Sequence, residues 1–237
     1  MAQARLPCAA SSKVAKAGGG DYRPRMRAAL IDYGSGNIAS AAKALARAAT
    51  ETTGHEIIVT ANPDDVRQAE RIILPGVGAF ADCMAGLAAV PGLVEALSES
   101  VLKAGKPFLG ICVGMQLLAR DGREFGVTPG LNWIDGEVVK IAPQDAALKI
   151  PHMGWNEIRV LKNHPLFDGL EKGANAYFVH SFEMKPASAD HLLATCDYGG
   201  TITAAIGRDN IVSTQFHPEK SQAMGLMLLG NFLKWRP

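Results

Sequence analysis

From Ala28 onward, apolar residues arrive in short unbroken runs. Residues 28–31, 57–59, 72–74 and 108–111 are each of strand length, and turn residues or helical stretches separate them. A strand with one wet face alternates apolar and polar positions. An unbroken apolar run needs cover on both faces, which is the condition of a parallel strand under helices. The Ala-rich stretch after Asn37 predicts a helix to about Ala49. The second half reads differently. Residues 136–141, 155–160, 177–182, 191–196, 201–206 and 211–216 predict further strands, with hairpin-like connections at Tyr198-Gly199-Gly200 and Arg208-Asp209-Asn210. A last helix starts at Ser221, a residue type suited to an N-cap, and ends in Lys234-Trp235-Arg236. The expected fold is one α/β domain: a mostly parallel central sheet flanked by helices, with additional antiparallel strands in the C-terminal half.

Length and charge narrow the function classes. The chain has 237 residues with 24 Lys plus Arg against 23 Asp plus Glu, so charge offers no reason to expect nucleic acid or an anionic membrane as a partner. Four cysteines (Cys8, Cys83, Cys112, Cys196) are too few for a disulfide scaffold at this length. The default compartment is a reducing cytosol. The weakly charged stretch 76–97 contains Asp82, Pro91 and Glu95 and does not read as a membrane span. Residues 1–25 stand apart, with five basic residues, one acid and the run Gly18-Gly19-Gly20. They are expected to form a disordered extension, with the folded domain covering 26–237.

In a parallel α/β sheet, sites lie in the loops leaving the carboxyl ends of strands. The sharpest of these is Phe108-Leu109-Gly110-Ile111-Cys112-Val113-Gly114-Met115-Gln116, an apolar strand running into a cysteine with glycine two residues to either side and a helical sequence beyond. This is a strand–nucleophile–helix elbow with sulfur as the nucleophile. The helix start supplies free N–H groups and partial positive charge, which favour a thiolate and a developing oxyanion. Taken alone, the pattern fits a small buried cysteine equally well.

A cysteine nucleophile needs a base. His217, in Phe216-His217-Pro218-Glu219-Lys220, follows an apolar strand, and Glu219 two residues on projects the same way in an extended segment. The carboxylate can then orient the ring. A third strand ends in Pro75-Gly76-Val77-Gly78, where glycines allow the backbone to turn an N–H toward a ligand. Val77 and Gly76 are candidate oxyanion donors alongside the N–H of Val113. No Walker lysine follows and the Rossmann fingerprint is missing, so nucleotide binding is unsupported. The sequence has no Cys-x-x-Cys or His-x-x-x-His, so a metal site is not expected. Cys83 and Cys196 lack a flanking base and read as packing residues, and His180 as a structural histidine.

Together, Gly110-Ile111-Cys112-Val113-Gly114-Met115-Gln116, His217-Pro218-Glu219 and Pro75-Gly76-Val77-Gly78 resemble the class I, or triad, glutamine amidotransferases. More narrowly, Asp32-Tyr33-Gly34-Ser35-Gly36-Asn37, Pro151-His152-Met153-Gly154-Trp155-Asn156 and Tyr177-Phe178-Val179-His180-Ser181 resemble the glutaminase subunits of imidazole glycerol phosphate synthases. The resemblance implies Cys112 as nucleophile, His217 as acid–base and Glu219 as its orienter. It implies Gln116, Gly78, Glu124 and Ser181 around the substrate L-glutamine, and no cofactor. It also implies a heterodimer with a (β/α)₈-barrel cyclase subunit that receives the ammonia, met through Asn37, Met153, Trp155, Tyr177 and Lys220. Two other readings share some of these features: a different amidotransferase glutaminase or a stand-alone cysteine hydrolase of similar fold, and an inactive subunit that only scaffolds a partner.

Overall fold

The computed structural model describes residues 26–237. The extension expected over residues 1–25 lies outside the described residues. In chain order, β1 (Arg27–Ile31) leads to α1 (Ile38–Thr52), β2 (Glu56–Thr60), α2 (Pro63–Gln68), β3 (Arg71–Gly76), α3 (Phe80–Ala89) and α4 (Leu93–Ser98). A π-helical turn (Glu99–Lys103) carries the chain to β4 (Phe108–Cys112), and α5 (Val113–Gln116) follows without a gap. Then come β5 (Asp121–Gly122), β6 (Thr128–Pro129), β7 (Gly136–Lys140), β8 (His152–Glu157), β9 (Arg159–Val160), β10 (Asn175–His180), β11 (Phe182–Pro186), β12 (Leu192–Asp197), β13 (Thr201–Arg208) and β14 (Ile211–Thr214). A 3₁₀ turn (Pro218–Lys220) precedes α6 (Gln222–Lys234).

The central sheet has eight strands in the order β2-β1-β3-β4-β14-β13-β12-β9. Its first five are mutually parallel and the rest antiparallel. A two-stranded sheet (β10-β8) and a four-stranded one (β11-β7-β5-β6) complete the fold. The apolar runs of β1, β3 and β4 are buried along their length, as two-sided cover requires. The run in β2 is not: this strand lies at the sheet edge and Val59 is 46% exposed. Helix α1 buries Ala41, Leu45, Ala48 and Ala49, one stripe at helical spacing. Among the described residues, no single helix is long and apolar enough to cross a membrane.

Three expectations are corrected. The strand expected at 155–160 breaks at Ile158, because β8 pairs with β10 while β9 joins the central sheet. The strand expected at 177–182 likewise breaks at Ser181, where the chain leaves β10 for β11 in another sheet. Ser221 stands at the N-cap position of α6, but its side chain caps nothing there. Its hydroxyl instead accepts from the Tyr177 N–H and donates to the His217 carbonyl, tying β10 to the turn after β14.

The elbow glycines serve close packing. Helix α5 lies so near β3 that a Cβ on Gly114 would fall inside the Leu74 carbonyl, and one on Gly110 would sit 2.7 Å from the Gly114 carbonyl oxygen and from Ser213 Oγ. The unusual backbone belongs to Cys112 itself, at φ 54° and ψ −114°. Gly114→Ala should therefore cost about 1–3 kcal/mol or more, since the obstacle is backbone and cannot yield as a side chain would. Urea unfolding will measure this, and wild-type stability in the variant would mean that α5 has room to shift.

Candidate active site

Strand order builds the site. β3, β4 and β14 are neighbours and parallel, so their carboxyl ends meet at one place. Gly76 is in register with Cys112, which sets the Gly76-Val77-Gly78 loop beside the elbow. Thr214 is in register with Ile111, which sets Gln215 beside Cys112 and carries the chain on to His217. Val77, Gly78, Cys112 and His217 line a cavity of about 320 Å³ together with Gln116, Glu124, Ser181 and His180. That size suits a small metabolite.

Cys112 is 4% exposed and His217 is 2% exposed. His217 Nδ1 lies 2.7 Å from Glu219 Oε1, so the carboxylate accepts the Nδ1 proton and leaves Nε2 as the working nitrogen. Nε2 is buried without a hydrogen-bond partner. Burial pulls the His217 pKa down, but Cys112 and Glu219 together more than offset this and push it up to about 9. The ring is thus favoured in its protonated form beside Cys112 and Glu219, a form that can give a proton away.

The other expected residues are placed as follows. Val113 opens α5, directly after the cysteine. The Val77 carbonyl accepts from Ser35 Oγ at 3.1 Å and from Cys83 Sγ at 3.5 Å. In a trans peptide unit this turns the Gly78 N–H the opposite way, and Gly78, at φ 108°, lines the cavity. The pinned unit therefore presents the N–H of Gly78, while the donor expected on Val77 belongs to the preceding unit. Cys83 does more than fill space, since it helps hold this loop, and burial raises its pKa. Glu124 lines the cavity and accepts from the Phe80 N–H at 2.9 Å, capping α3 where Ala79 has no side chain to do so. Gln116 is buried, and both hydrogens of its amide nitrogen are used, on the Phe182 carbonyl and on Gln215 Oε1, each at 3.0 Å. Only its own oxygen is left for a substrate. Burial pushes the Cys196 thiol up to about 12, as befits an inert core residue.

Trp155 and Tyr177 are directly paired across β8 and β10, with ring centroids 5.9 Å apart, and Lys220 Nζ lies 5.8 Å from the Tyr177 ring centre. Trp155 and its neighbour Met153 are 48% and 61% exposed. Asn37 is exposed on a separate loop, where it caps α1 through Ser40 N.

One residue next to the chemistry escaped sequence reasoning. Gln215 is fully buried, and its Nε2 approaches Cys112 Sγ at 3.7 Å. A signal was available: Gln215 stands only two residues before His217, at the end of the run expected to form the last strand.

Comparisons with known proteins agree with this geometry. The family model described as glutamine amidotransferase class-I matches residues 29–234. The imidazole glycerol phosphate synthase subunit HisH of Brucella suis biovar 1 is 58% identical over 216 residues, 90% of this chain and 100% of that protein. The subunit of the same description from Rhodospirillum rubrum is 58% identical over 214 residues, again 90% of this chain and 100% of the other. Among solved structures, a glutamine amidotransferase aligns with TM-score 0.64 at 17% identity, over 87% of this chain and 97% of that one, a likeness of fold.

The His217 environment sets a pH signature. Its folded pKa, about 9, lies above the ordinary value of 6.5. The stability it contributes is therefore full below the ordinary value and is lost as pH rises through the folded one. Glu219→Gln removes one of the two groups that raise it. The stability gap between wild type and this variant should be widest near pH 6 and close as pH passes about 9. Thermal unfolding across that range checks the sign, and a gap that widened with pH would contradict it.

Proposed function

The chain belongs to the class I glutamine amidotransferases, and from that premise we propose that Cys112, His217 and Glu219 act on the side-chain amide of L-glutamine as nucleophile, acid–base and orienter. Within the family the chain has the role of the glutaminase subunit of imidazole glycerol phosphate synthase, one part of a complex. It hydrolyses glutamine to glutamate and ammonia for histidine biosynthesis. The observation that carries the residue assignment is the meeting of a strained cysteine at a strand–helix junction with a His217–Glu219 pair from the neighbouring strand, in one cavity.

The steps follow from the groups present. The Cys112 thiolate attacks the amide carbon, and the carbonyl oxygen takes the electron pair. The N–H of Val113 and one from the Gly76–Gly78 loop hold this oxyanion, and losing one such donor costs on the order of 10²–10³ in rate. The His217 imidazolium gives its Nε2 proton to the leaving nitrogen, and ammonia departs as the carbonyl re-forms on a γ-glutamyl thioester. The neutral imidazole then takes a proton from water, the hydroxide adds to the thioester, and glutamate leaves with Cys112 restored. Gln116, through its oxygen, with Glu124, Gly78 and Ser181, complements the ammonium and carboxylate of the free amino acid.

The partner in this proposal is a (β/α)₈-barrel cyclase. It docks over Met153, Trp155, Tyr177, Lys220 and Asn37 and uses the ammonia to form imidazole glycerol phosphate and aminoimidazole carboxamide ribotide. The exposed aromatic and methionine side chains there are the residue types that anchor interfaces. The compartment proposed is the cytosol, on the strength of unpaired, buried cysteines among the described residues. Residues 26–237 form the amidotransferase unit and residues 1–25 a dispensable extension.

Two experiments test this. Cys112→Ser should abolish glutamine-dependent synthesis by the assembled complex and leave ammonia-dependent synthesis intact, because the ring chemistry belongs to the partner. Loss of both would show that Cys112 is structural. A chain starting at Met26 should melt with the full chain, and a clear drop in Tm would show that the preceding residues pack.

A further inference from the structure

Cys112 Sγ ends a continuous chain of hydrogen bonds that starts on the exposed β8 strand. Asn156 Nδ2 donates to the Asp197 carbonyl at 2.7 Å and lies 3.2 Å from His152 Nε2. His152 Nδ1 lies 3.0 Å from His180 Nε2, and His180 Nδ1 lies 2.8 Å from the Phe182 carbonyl. The same carbonyl accepts from Gln116 Nε2, which also donates to Gln215 Oε1, and Gln215 Nε2 reaches Cys112 Sγ.

The direction of every link is fixed by that carbonyl, which can only accept. His180 must therefore carry its proton on Nδ1, which leaves Nε2 bare to accept from His152 Nδ1–H. His152 Nε2 is then bare in turn and accepts from Asn156. Both rings are buried and neutral, with burial pulling each pKa down to about 4. His152 is stacked between Phe178 and Tyr198, at centroid distances of 4.8 and 4.0 Å. On the other side, Gln116 must turn its nitrogen to the carbonyl and so donates to Gln215 through its second hydrogen. Gln215 has to meet it with oxygen, and this leaves its N–H for the sulfur.

We infer that Gln215 is a positioning residue for the nucleophile: its N–H donates to Cys112 Sγ, holds the thiolate and aims it, and the Phe182 carbonyl, acting through Gln116, sets which end of its amide faces the sulfur. This inference rests on the proposed role of Cys112 as nucleophile. His180 and His152 belong to the same buried network, and the Phe182 carbonyl fixes their tautomers in the same way. The histidine branch of the network begins in the segment whose Met153 and Trp155 are exposed and meets the Gln116–Gln215 branch at the Phe182 carbonyl.

The test uses two substitutions. Gln215→Glu keeps the shape and the oxygen that accepts from Gln116, but replaces the donor to sulfur by an acceptor. Gln215→Met removes the donor without adding charge. One readout is the rate of Cys112 alkylation by iodoacetamide against pH, located by peptide mass mapping. The other is glutamine hydrolysis by the complex. The titratable groups around the sulfur are His217, Tyr33, Cys83 and, across the cavity, Glu124. All of these are unchanged in both variants.

Loss of a hydrogen bond to a charged group predicts a fall of about tenfold in alkylation rate at pH 7 for Gln215→Met, and a larger fall for Gln215→Glu. The Glu deficit should narrow at low pH, where the protonated carboxyl becomes a donor again. In the complex, kcat of Gln215→Glu should fall by about tenfold or more with KM within about twofold, because Gln116 keeps its partner. Wild-type alkylation profiles and kcat in the variants would overturn the inference. If Gln215→Glu fails to fold, the alkylation rate of Gln215→Met decides alone. Cys112→Ser separates the two layers: retained glutamine hydrolysis sinks the nucleophile assignment, whereas its loss beside wild-type behaviour of the Gln215 variants sinks only the positioning role.

Discussion

The rest of the site depends on one backbone constraint: Cys112 must leave the middle of a parallel sheet and enter a helix within a single residue. It does so at φ 54°, a conformation that costs a non-glycine residue on the order of 1–3 kcal/mol. The cost is met by packing. Helix α5 is pressed onto β3 so tightly that position 114 cannot carry a side chain, and position 110 is closed off by Gly114 and Ser213. With the turn held this way, the thiol stands at the strand end next to the helix N–H groups and cannot relax into the core.

Two neighbouring strands then finish what the turn begins. β3 delivers a loop whose Val77 carbonyl is held by Ser35 and Cys83, and β14 delivers Gln215 and His217. The polar groups involved are almost all buried, and an unpaired one there would be costly. Two of them, Gln116 and His180, are paired through a single acceptor, the Phe182 carbonyl. At the site, His217 Nε2 and Glu219 Oε2 are the exceptions, both in the hydrogen-bonded pair that follows β14.

Much of this was legible in the sequence because it is local. Unbroken apolar runs announced β1, β3 and β4, and the glycine-flanked cysteine announced the elbow; the contact of His217 with Glu219 was expected from an extended segment but forms across the 3₁₀ turn at Pro218–Lys220. The breaks at Ile158 and Ser181 were not legible, since they occur where the chain changes sheets and no local pattern records which sheet a strand joins. The exposed side of β2 was hidden for the same reason, because an edge strand differs from a central one only in its neighbours. Gln215 and Cys83 act through partners 103 and 48 residues away, and Ser221 ties Tyr177 from a distance of 44. Such pairings exist only after the sheet order is known.

The central claim is that Cys112 carries the substrate's acyl group during turnover. Acid quenching of the complex while it consumes isotopically labelled glutamine, followed by peptide mass mapping, measures this directly. The account predicts a labelled γ-glutamyl adduct on the peptide containing Cys112 and on no other cysteine peptide. Glutamine consumption without that adduct in any quenched sample, or the adduct on Cys83 or Cys196, would contradict it.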